Sequence, residues 1–398
     1  MKKALKGTWF FAFALLLNGT WSMEAQAIDC EQVRAALDIG SGTTKMVVAR
    51  VDFCENHVLE ILAPVPGFKL ERQVEYQKNI VTMPGGRKFF SDEVIAQGLA
   101  AILELKTVAL IHGAEAFSAV ATSAFRSVGL TQALALLERI REETGFRAVV
   151  ISQDQEARLG FLAAAINAGL PQENLVVWDI GGGSMQISYW NPTTPGSVAG
   201  YRGNFANEAM QRFIIETLQG KDYPETKSPN PMLRPDTMID QPNDLSRAIR
   251  DAEKAASQEV PAGLRDKLRA PTTQVIGIGG VHFNSNCEFL RRFSSDGCEF
   301  TRQELLDQAY RYAHLTDQEL FMEGLSASLA FAKGRVSGAA LTLGFMNALG
   351  IDRVRAIKVD MGDGILIDQE FWARPEEQAR EAALAVTPQI SRQRSFSR

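Results

Sequence analysis

The chain has 398 residues, 45% of them hydrophobic, and a formal net charge of −5 at pH 7. This length exceeds what a single hydrophobic core usually supports, so it predicts two packed domains. The acidic balance argues against nucleic acid as a partner, although it leaves room for a local basic channel that binds a polyanion. The chain has only four scattered histidines and no Cys-x-x-Cys pair, which argues against a histidine-rich metal site and a redox motif.

The first 27 residues have the pattern of a secretory signal peptide. Three lysines within the first six residues precede an apolar run at 9–17, and Ala25-Gln26-Ala27 forms an A-x-A cleavage pattern. We therefore predict that the mature chain starts at Ile28 in the periplasm, with no stable membrane insertion after cleavage. An N-terminal amphipathic helix is the alternative interpretation of these residues.

All four cysteines lie after this segment, in two near pairs. Cys30 and Cys54 are equidistant in sequence from Gly42, so a hairpin around that residue would bring them together. Cys287 and Cys298 form the second pair. We predict disulfides Cys30–Cys54 and Cys287–Cys298, which suit an oxidising compartment. Four buried thiols are the alternative.

Short apolar runs alternate with segments of helical periodicity along the chain, which predicts an α/β fold. Strands are predicted at 33–39, 44–52, 58–65, 73–81, 116–122, 146–151, 175–180, 185–190, before Gly279, and at 353–360. Helices are predicted at 91–106, 131–144, from the capping box Ser152–Gln155 to Gly169, within 201–218, at 245–258, 261–268, after the glycine turn at 279–280, at 336–349 and at 362–372.

These elements divide the chain into two domains. We predict a first domain at 28–152, which a closing helix at about 364–373 rejoins, a second at 153–363 with a proline-rich surface excursion at 219–243, and a polar tail at 374–398.

Two similar glycine-rich turns follow apolar strands that end in aspartate. They are ALDIGSGTTKMVVA at 36–49 and VWDIGGGSMQIS at 177–188, which share D-I-G-[SG]-G-[TS]. Glycines let a ligand approach the backbone, and successive N–H groups and hydroxyls form an anion cradle. Either turn alone could be an ordinary hairpin, but a duplicated pattern favours two phosphate-binding loops. Neither turn is a mononucleotide P-loop, because no G-K-[ST] follows the glycines. Neither is a dinucleotide-binding fingerprint, because a strand rather than a helix follows each turn.

The candidate ligands follow from this repeat. An aspartate at a strand end can hold a hydrated divalent cation, Mg²⁺ or Mn²⁺, beside bound phosphates, while a turn-stabilising role is the alternative. We predict metal positioning by Asp38 and Asp179, and phosphate binding by Gly40, Ser41, Gly42, Thr43 and Lys45 in the first unit and Gly181, Gly182, Gly183 and Ser184 in the second.

The duplicated pattern resembles the actin-like ATPase superfamily, and ATSAFRSV and ISQDQEARLGF resemble its exopolyphosphatase/guanosine pentaphosphate phosphatase (Ppx/GppA) family. The resemblance implies two actin-like (ribonuclease H-like) domains with a cleft between them. It implies release of terminal orthophosphate from polyphosphate or a nucleotide polyphosphate such as guanosine pentaphosphate, and it leaves a homodimer open.

The resemblance also implies residue roles. Glu156 would activate the attacking water, and Arg126 would disperse charge on the terminal phosphate. Gly279 and Gly280 would form a third glycine turn that binds phosphate, with packing or lining of the cleft as the alternative. Salt-bridged structural roles are the alternatives for Glu156 and Arg126.

The chain departs from the family pattern at four places. Gln155 and Gln186 replace two glutamates, Gly42 replaces a common asparagine, and 362–364 replaces the closing R-E-G. The lost carboxylates leave open a non-catalytic periplasmic protein that binds polyphosphate or nucleotide. Lys45 leaves open an ATP-using actin-like ATPase.

Overall fold

The structure is a computed structural model that describes residues 30–64, 70–194, 196–223, 225–233, 243–292, 294, 297–359 and 361–372. The predicted signal peptide, the polar tail and part of the proline-rich excursion lie outside these residues. Two six-stranded sheets with packed helices dominate the described part, which confirms the α/β class.

The first sheet is built from the N-terminal part of the chain and has the order β3-β2-β1-β7-β8, with β4 beside β2. Its strands and the separate hairpin β5–β6 are β1 Glu31–Ile39, β2 Thr43–Asp52, β3 His57–Ala63, β4 Glu71–Gln73, β5 Ile80–Thr82, β6 Lys88–Phe90, β7 Ala116–Ala121 and β8 Arg147–Val150. The helices between them are α1 Asp92–Ile111, α2 Ser123–Ser127 and α3 Leu130–Thr144, with a 3₁₀ turn at Gln77–Asn79.

The second sheet has the order β11-β10-β9-β12-β14-β13. Its strands are β9 Leu175–Ile180, β10 Met185–Trp190, β11 Val198–Gly203, β12 Gln274–Ile278, β13 Cys298–Thr301 and β14 Arg353–Ala356. Its helices are α4 Gln153–Ala168, α5 Asn207–Phe213, α6 Asp244–Glu259, α7 Ala262–Arg269, α8 Arg302–Tyr312, α9 Asp317–Met322, α10 Leu329–Ala332 and α11 Arg335–Leu349, with π-helices at Ile214–Leu218 and Gly280–Cys287 and a 3₁₀ turn at Gln172–Asn174.

The two sheets share one topology. In the first, β1 pairs antiparallel with β2 and parallel with β7, which pairs parallel with β8. In the second, β9 pairs antiparallel with β10 and parallel with β12, which pairs parallel with β14. The sequence repeat is therefore a repeat of structure, and both copies place an aspartate near the end of the first strand.

The end of the described chain packs against the first sheet. It consists of α12 Met361–Ile367 and a 3₁₀ turn at Gln369–Phe371, and its apolar side chains join a cluster with β1 and β2. Arg34 of β1 donates to the carbonyl of Leu366 at 2.8 Å, and Ser118 of β7 donates to that of Phe371 at 2.8 Å. These bonds attach the segment to the sheet that carries the first glycine turn.

Several elements differ from the sequence prediction. The helix predicted within 201–218 is present as α5 and the following π-helix, while the first residues of that segment belong to the unpredicted strand β11, in which Tyr201 pairs with Ile187 of β10. The expected strand at 73–81 is broken, since a 3₁₀ turn at Gln77–Asn79 separates β4 from β5. Strand β13 and helices α8 to α10 were not anticipated. In β11 two glycines dilute the alternation that marks a strand.

Helix α1 is long and apolar enough to cross a membrane by length and composition, and 39% of its most apolar window is buried inside the protein. Ser91 caps its N-terminus by accepting the N–H of Val94. Its inward residues, including Ile102 and Leu105, belong to the core of the first sheet. The helix therefore has the packing of a core element along one face.

Both predicted disulfides are present. Cys30–Cys54 joins the residues flanking the open end of the β1–β2 hairpin, whose register pairs Glu31 with Asp52. Cys287–Cys298 joins the end of a π-helix to the start of β13. The hairpin geometry inferred around Gly42 is confirmed.

His282 predicts a pH dependence of stability. Its ring is fully buried against Trp178, neither nitrogen has a hydrogen-bond partner among the described residues, and burial lowers its pKa to about 3. In the unfolded chain His282 becomes protonated below about pH 6.5, whereas in the folded chain it stays neutral. The free energy of unfolding therefore falls as the pH falls below that value. We expect the free energy of unfolding, measured with denaturant, to fall between pH 7.5 and pH 4.5 by about 2–3 kcal/mol more in the wild type than in His282→Asn. The exposed His314→Asn should keep the wild-type slope, and an unchanged slope in His282→Asn would refute the assignment.

Candidate active site

The two glycine turns have the same local geometry. In the first, the N–H of Gly40 donates to the carbonyl of Thr43 at 2.9 Å, and in the second, the N–H of Gly181 donates to that of Ser184 at 3.0 Å. Each bond closes a tight connection between two antiparallel strands. The shared sequence therefore builds the same loop twice.

The loops approach each other closely. A β-carbon added to Gly183 would lie 2.6 Å from Oγ of Ser123 at the start of α2 and 2.9 Å from Oγ of Ser41 in the first glycine loop. Side chains are thus excluded at Gly183 by hydroxyls from across the cleft. The glycine pattern alone predicts room for phosphate oxygens here, and the nearby hydroxyls are a second reason for a glycine at this position.

A cavity of 470 Å³ lies where the loops meet, and the two sheets supply opposite walls. It is lined by every predicted phosphate- and metal-binding residue and by Glu156: Asp38, Gly40, Ser41, Gly42, Thr43, Lys45, Glu156, Asp179, Gly181, Gly182, Gly183, Ser184, Gly279 and Gly280. The two sequence units, separate along the chain, therefore share one cleft. Arg126 contacts this group from the side.

Glu156 is held by two donors. It lies in the first turn of α4, its side chain is nearly buried, and Nη2 of Arg126 donates to Oε2 at 2.6 Å. The hydroxyl of Ser184 donates to Oε1 at 2.9 Å. The second Arg126 nitrogen, Nη1, donates to the carbonyl of Ile151 at 2.8 Å. One carboxylate is thus oriented by α2 of the first sheet and by the second glycine loop.

This arrangement gives Arg126 a nearer partner than a phosphate. The family resemblance implies a contact of Arg126 with the terminal phosphate, with a structural salt bridge as the alternative. Here its guanidinium faces Glu156, and Nη2 also lies 3.4 Å from the Ser184 hydroxyl. In this state Arg126 positions the carboxylate.

Gln155 has a structural role. Its Oε1 accepts the N–H of Ser152 at 3.0 Å, and the Ser152 hydroxyl accepts its N–H in return, which completes a capping box for α4. Its Nε2 donates to Glu370 at 2.6 Å. An amide suits this position because a glutamate would bring two like charges together. The departure from the family pattern at this residue therefore lies outside the cavity lining.

Gln186 is more informative. It is 1% exposed, it lies opposite Asp179 in the β9–β10 register, and its Nε2 has no hydrogen-bond partner in the described structure. Lys45 occupies the equivalent place opposite Asp38 in the first unit. Neither unit therefore has a carboxylate at the position opposite its aspartate.

The residues present fit a hydrated divalent cation. Asp38 and Asp179 bring carboxylates to one cavity from the two sheets, together with serine hydroxyls. Gly279 has φ +78°, and the Asp179 carboxylate occupies the space a side chain would take, so the third glycine turn supports that aspartate. Among the described residues the one cluster of three close ligating groups is Cys30, Asp52 and Cys54, whose sulfurs are bonded to each other. A cation at the aspartates would therefore need water or phosphate oxygens as further ligands.

Several polar residues of the cleft have no sequence signal that predicts their place there. Ser123 follows β7 within the recognised ATSAFRS motif, but nothing in that motif shows that it meets Gly183. The others come from segments distant in sequence, and no spacing unites them. They are Glu71, Gln73, Glu75, Lys78, Asn207, Glu208, Gln211, Asn284, Ser285, Glu288 and Arg335.

Comparisons with known proteins agree with this geometry. Residues 72–199 match the Ppx/GppA phosphatase family. Exopolyphosphatase 1 of Mycobacterium leprae is 37% identical over 90 residues, which are 23% of this chain and 26% of that protein. The alignment thus spans about a quarter of that relative.

Solved structures extend the likeness to most of the fold. The Aquifex aeolicus member of the Ppx/GppA family superposes with a TM-score of 0.62 at 18% identity, covering 85% of this chain and 98% of that one. An exopolyphosphatase from Cytophaga hutchinsonii gives 0.60 at 16% identity, covering 84% and 96%. The fold is therefore a pair of actin-like domains flanking a cleft, and the resemblance of this chain to the Ppx/GppA phosphatase family is confirmed.

Proposed function

We propose that the protein is a phosphoanhydride hydrolase of the exopolyphosphatase type, which releases terminal orthophosphate from a polyphosphate chain or a nucleotide polyphosphate. The observation that carries this proposal is the placement of Glu156. A nearly buried carboxylate, oriented by Arg126 and Ser184, lines the same cavity as two duplicated phosphate loops. The names of the matching relatives point to the same chemistry.

The proposed reaction uses the residues in separate roles. The loops bind the phosphate chain through backbone N–H groups and the hydroxyls of Ser41, Thr43 and Ser184. Glu156 accepts a proton from a water molecule while the oxygen of that water attacks the terminal phosphorus. The bond between this phosphorus and the bridging oxygen then breaks. The shortened chain leaves with the electrons of that bond. A divalent cation held by Asp38 and Asp179 would neutralise phosphate charge.

We propose that the protein acts in the periplasm after removal of residues 1–27. The two disulfides support an oxidising compartment, because such bonds persist there and are rare in the cytosol.

A non-catalytic binding protein is the second candidate, and Gln186 favours it. A buried amide with a partnerless Nε2 replaces a carboxylate beside Asp179. Removing that charge weakens the attraction for a cation in the second unit. Folded protein that binds polyphosphate but releases no phosphate with Mg²⁺ or Mn²⁺ would support this candidate.

The ATP-using alternative rests on Lys45. This residue lies on β2 between two acidic residues, opposite Asp38 on β1 and opposite Glu71 on β4. The two carboxylates offset the positive charge of Lys45, so this lysine does not favour ATP over other phosphate-containing substrates. We therefore favour the hydrolase.

Glu156→Gln should abolish turnover while preserving substrate binding. The amide keeps an oxygen for Arg126 but cannot accept the proton from water, so kcat should fall by about 10²- to 10⁴-fold. Phosphate release and polyphosphate binding should be measured on the same protein from residue 28. The exposed Glu142→Gln, on α3, serves as the matched control. Full activity in Glu156→Gln would remove Glu156 from the mechanism.

Arg126→Lys separates the two roles of the guanidinium. A lysine cannot bridge Glu156 and the Ile151 carbonyl together, so an orienting role predicts that kcat falls by roughly tenfold or more while KM stays near wild type. Ser184→Ala, which removes the other donor to Glu156, should lower kcat as well. A rise in KM with unchanged kcat in Arg126→Lys would instead assign Arg126 to phosphate binding.

A further inference from the structure

Arg158 belongs to a motif that carries the family resemblance, yet the proposed reaction gives it no role. It lies in α4, two residues after Glu156, and it is not among the described residues that line the cavity. Its guanidinium contacts the closing segment, residues 361–372, which consists of α12, the 3₁₀ turn after it and Trp372. The contacts of Arg158 therefore concern the position of α4 rather than the substrate.

Neighbouring residues of α4 have different surroundings, because a helix turns by about 100° per residue. Gln155 and Leu159 are four residues apart and share one face of the helix with Arg158. Glu156 lies about a quarter turn away from Gln155, and it lines the cavity. Leu159 is fully buried among apolar side chains of the closing segment and of the first sheet. The helical turn that carries Glu156 therefore packs with one face against the closing segment.

Two carboxylates of the closing segment bind Arg158. Its Nη2 donates to Oδ2 of Asp368, whose side chain is nearly buried. The same nitrogen donates to Oε2 of Glu370 at 2.9 Å. The other oxygen of Glu370 accepts Nε2 of Gln155 at 2.6 Å. One glutamate thus binds two side chains on the same face of α4, and the nearly buried aspartate binds one of them as well.

The two helices approach each other closely at Gly364. A β-carbon added to this residue would collide with the backbone carbonyl of Leu159. A glycine is therefore needed for α12 to lie directly on α4. Gly364 ends the 362–364 stretch that departs from the family's closing R-E-G, and it is the one residue that the two patterns share.

The closing segment is itself fixed to the first sheet. Nη2 of Arg34, on β1, donates to Oε1 of Gln369 at 3.2 Å, and the guanidinium lies 4.6 Å from the centre of the Trp372 ring. Gln369 in turn donates to the carbonyl of Phe53 at 3.1 Å and to the side chain of Asn56 at 2.9 Å. The segment therefore connects the first sheet to α4, whose later turns pack against the second sheet.

We infer that Arg158 and Glu370 are positioning residues for Glu156, an inference that rests on the proposed hydrolase function. Arg126 and Ser184 orient the carboxylate of Glu156 directly. The closing segment fixes the helical turn from which that carboxylate extends. A displacement of about 1 Å at a catalytic group can lower the rate by about 10²-fold, because the reacting atoms lose their alignment. The position of the proposed base therefore depends on contacts that lie outside the cavity.

Arg158→Gln tests this role by removing the positive charge while keeping a polar side chain. We expect kcat for polyphosphate to fall roughly tenfold to a hundredfold while KM stays near wild type, because the phosphate-binding loops are unchanged. Arg158→Lys should stay within about threefold of the wild-type kcat, since a single nitrogen of Arg158 makes both contacts. The control is Arg302→Gln, which breaks an ion pair with Asp352 outside the cavity lining. An unchanged kcat in Arg158→Gln, or a rise in KM alone, would overturn the inference.

Glu370→Ala is a second variant, chosen because it should fold normally. Glu370 is half exposed, and its removal leaves Asp368 paired with Arg158. The change removes the acceptor of both Gln155 and Arg158, so kcat should fall by roughly threefold to tenfold at an unchanged KM. In a Glu156→Gln background the same change should alter the residual rate by less than about twofold, since it acts through Glu156. Additive losses would assign Glu370 a role that is independent of Glu156 and would contradict the inference.

Hydrogen exchange separates this inference from the proposed function. The backbone amides of 156–159 should exchange faster in Arg158→Gln than in the wild type, whereas those of α11 should exchange at the wild-type rate. Unchanged exchange at 156–159 would reject the positioning role whether or not the protein is an enzyme. Absence of phosphate release from every substrate would reject the hydrolase, and the exchange rates would still decide whether Arg158 holds this turn of α4 in place.

Discussion

The contact of Glu156 with Arg126 and Ser184 connects the parts of the molecule on which the site depends. Arg126 comes from α2 beside the first sheet, Glu156 from the first turn of α4, and Ser184 from the second glycine loop. The ion pair is largely shielded from water. Removing one partner of such a pair usually destabilises a protein by about 3–5 kcal/mol, because the other charge stays behind. The orientation of one carboxylate and the approach of the two sheets are therefore coupled.

The duplicated topology explains why this coupling is possible. Each sheet begins with an antiparallel hairpin whose turn carries the glycines, followed by a parallel strand beside the first. Two copies of such a unit, facing each other, bring both turns to one cleft. The glycine at 183 then serves the packing between the copies, since Ser41 and Ser123 occupy the space beside it. The close approach of the two units thus depends on the same loop backbone that we propose binds phosphate.

Much of this arrangement could be predicted from the sequence, because it is encoded locally. The strand-glycine-strand pattern fixed the hairpins, the spacing around Gly42 gave the first disulfide, and the capping box at Ser152 marked the start of α4. Contacts between distant segments could not be predicted this way. No spacing shows that Arg126 contacts Glu156, that Gln155 contacts Glu370, or that β11 pairs with β10.

The two glutamines show why a departure from a family pattern needs the structure. Gln155 donates to Glu370 and completes a helix cap, so its amide has a reason that is independent of catalysis. Gln186 is buried opposite Asp179 with an unused donor, and no partner among the described residues explains it. The same substitution type therefore carries different weight at the two positions. Because the first unit has Lys45 at the position equivalent to Gln186, neither aspartate has an acidic cross-strand neighbour within its hairpin, which limits the negative charge beside the two glycine loops.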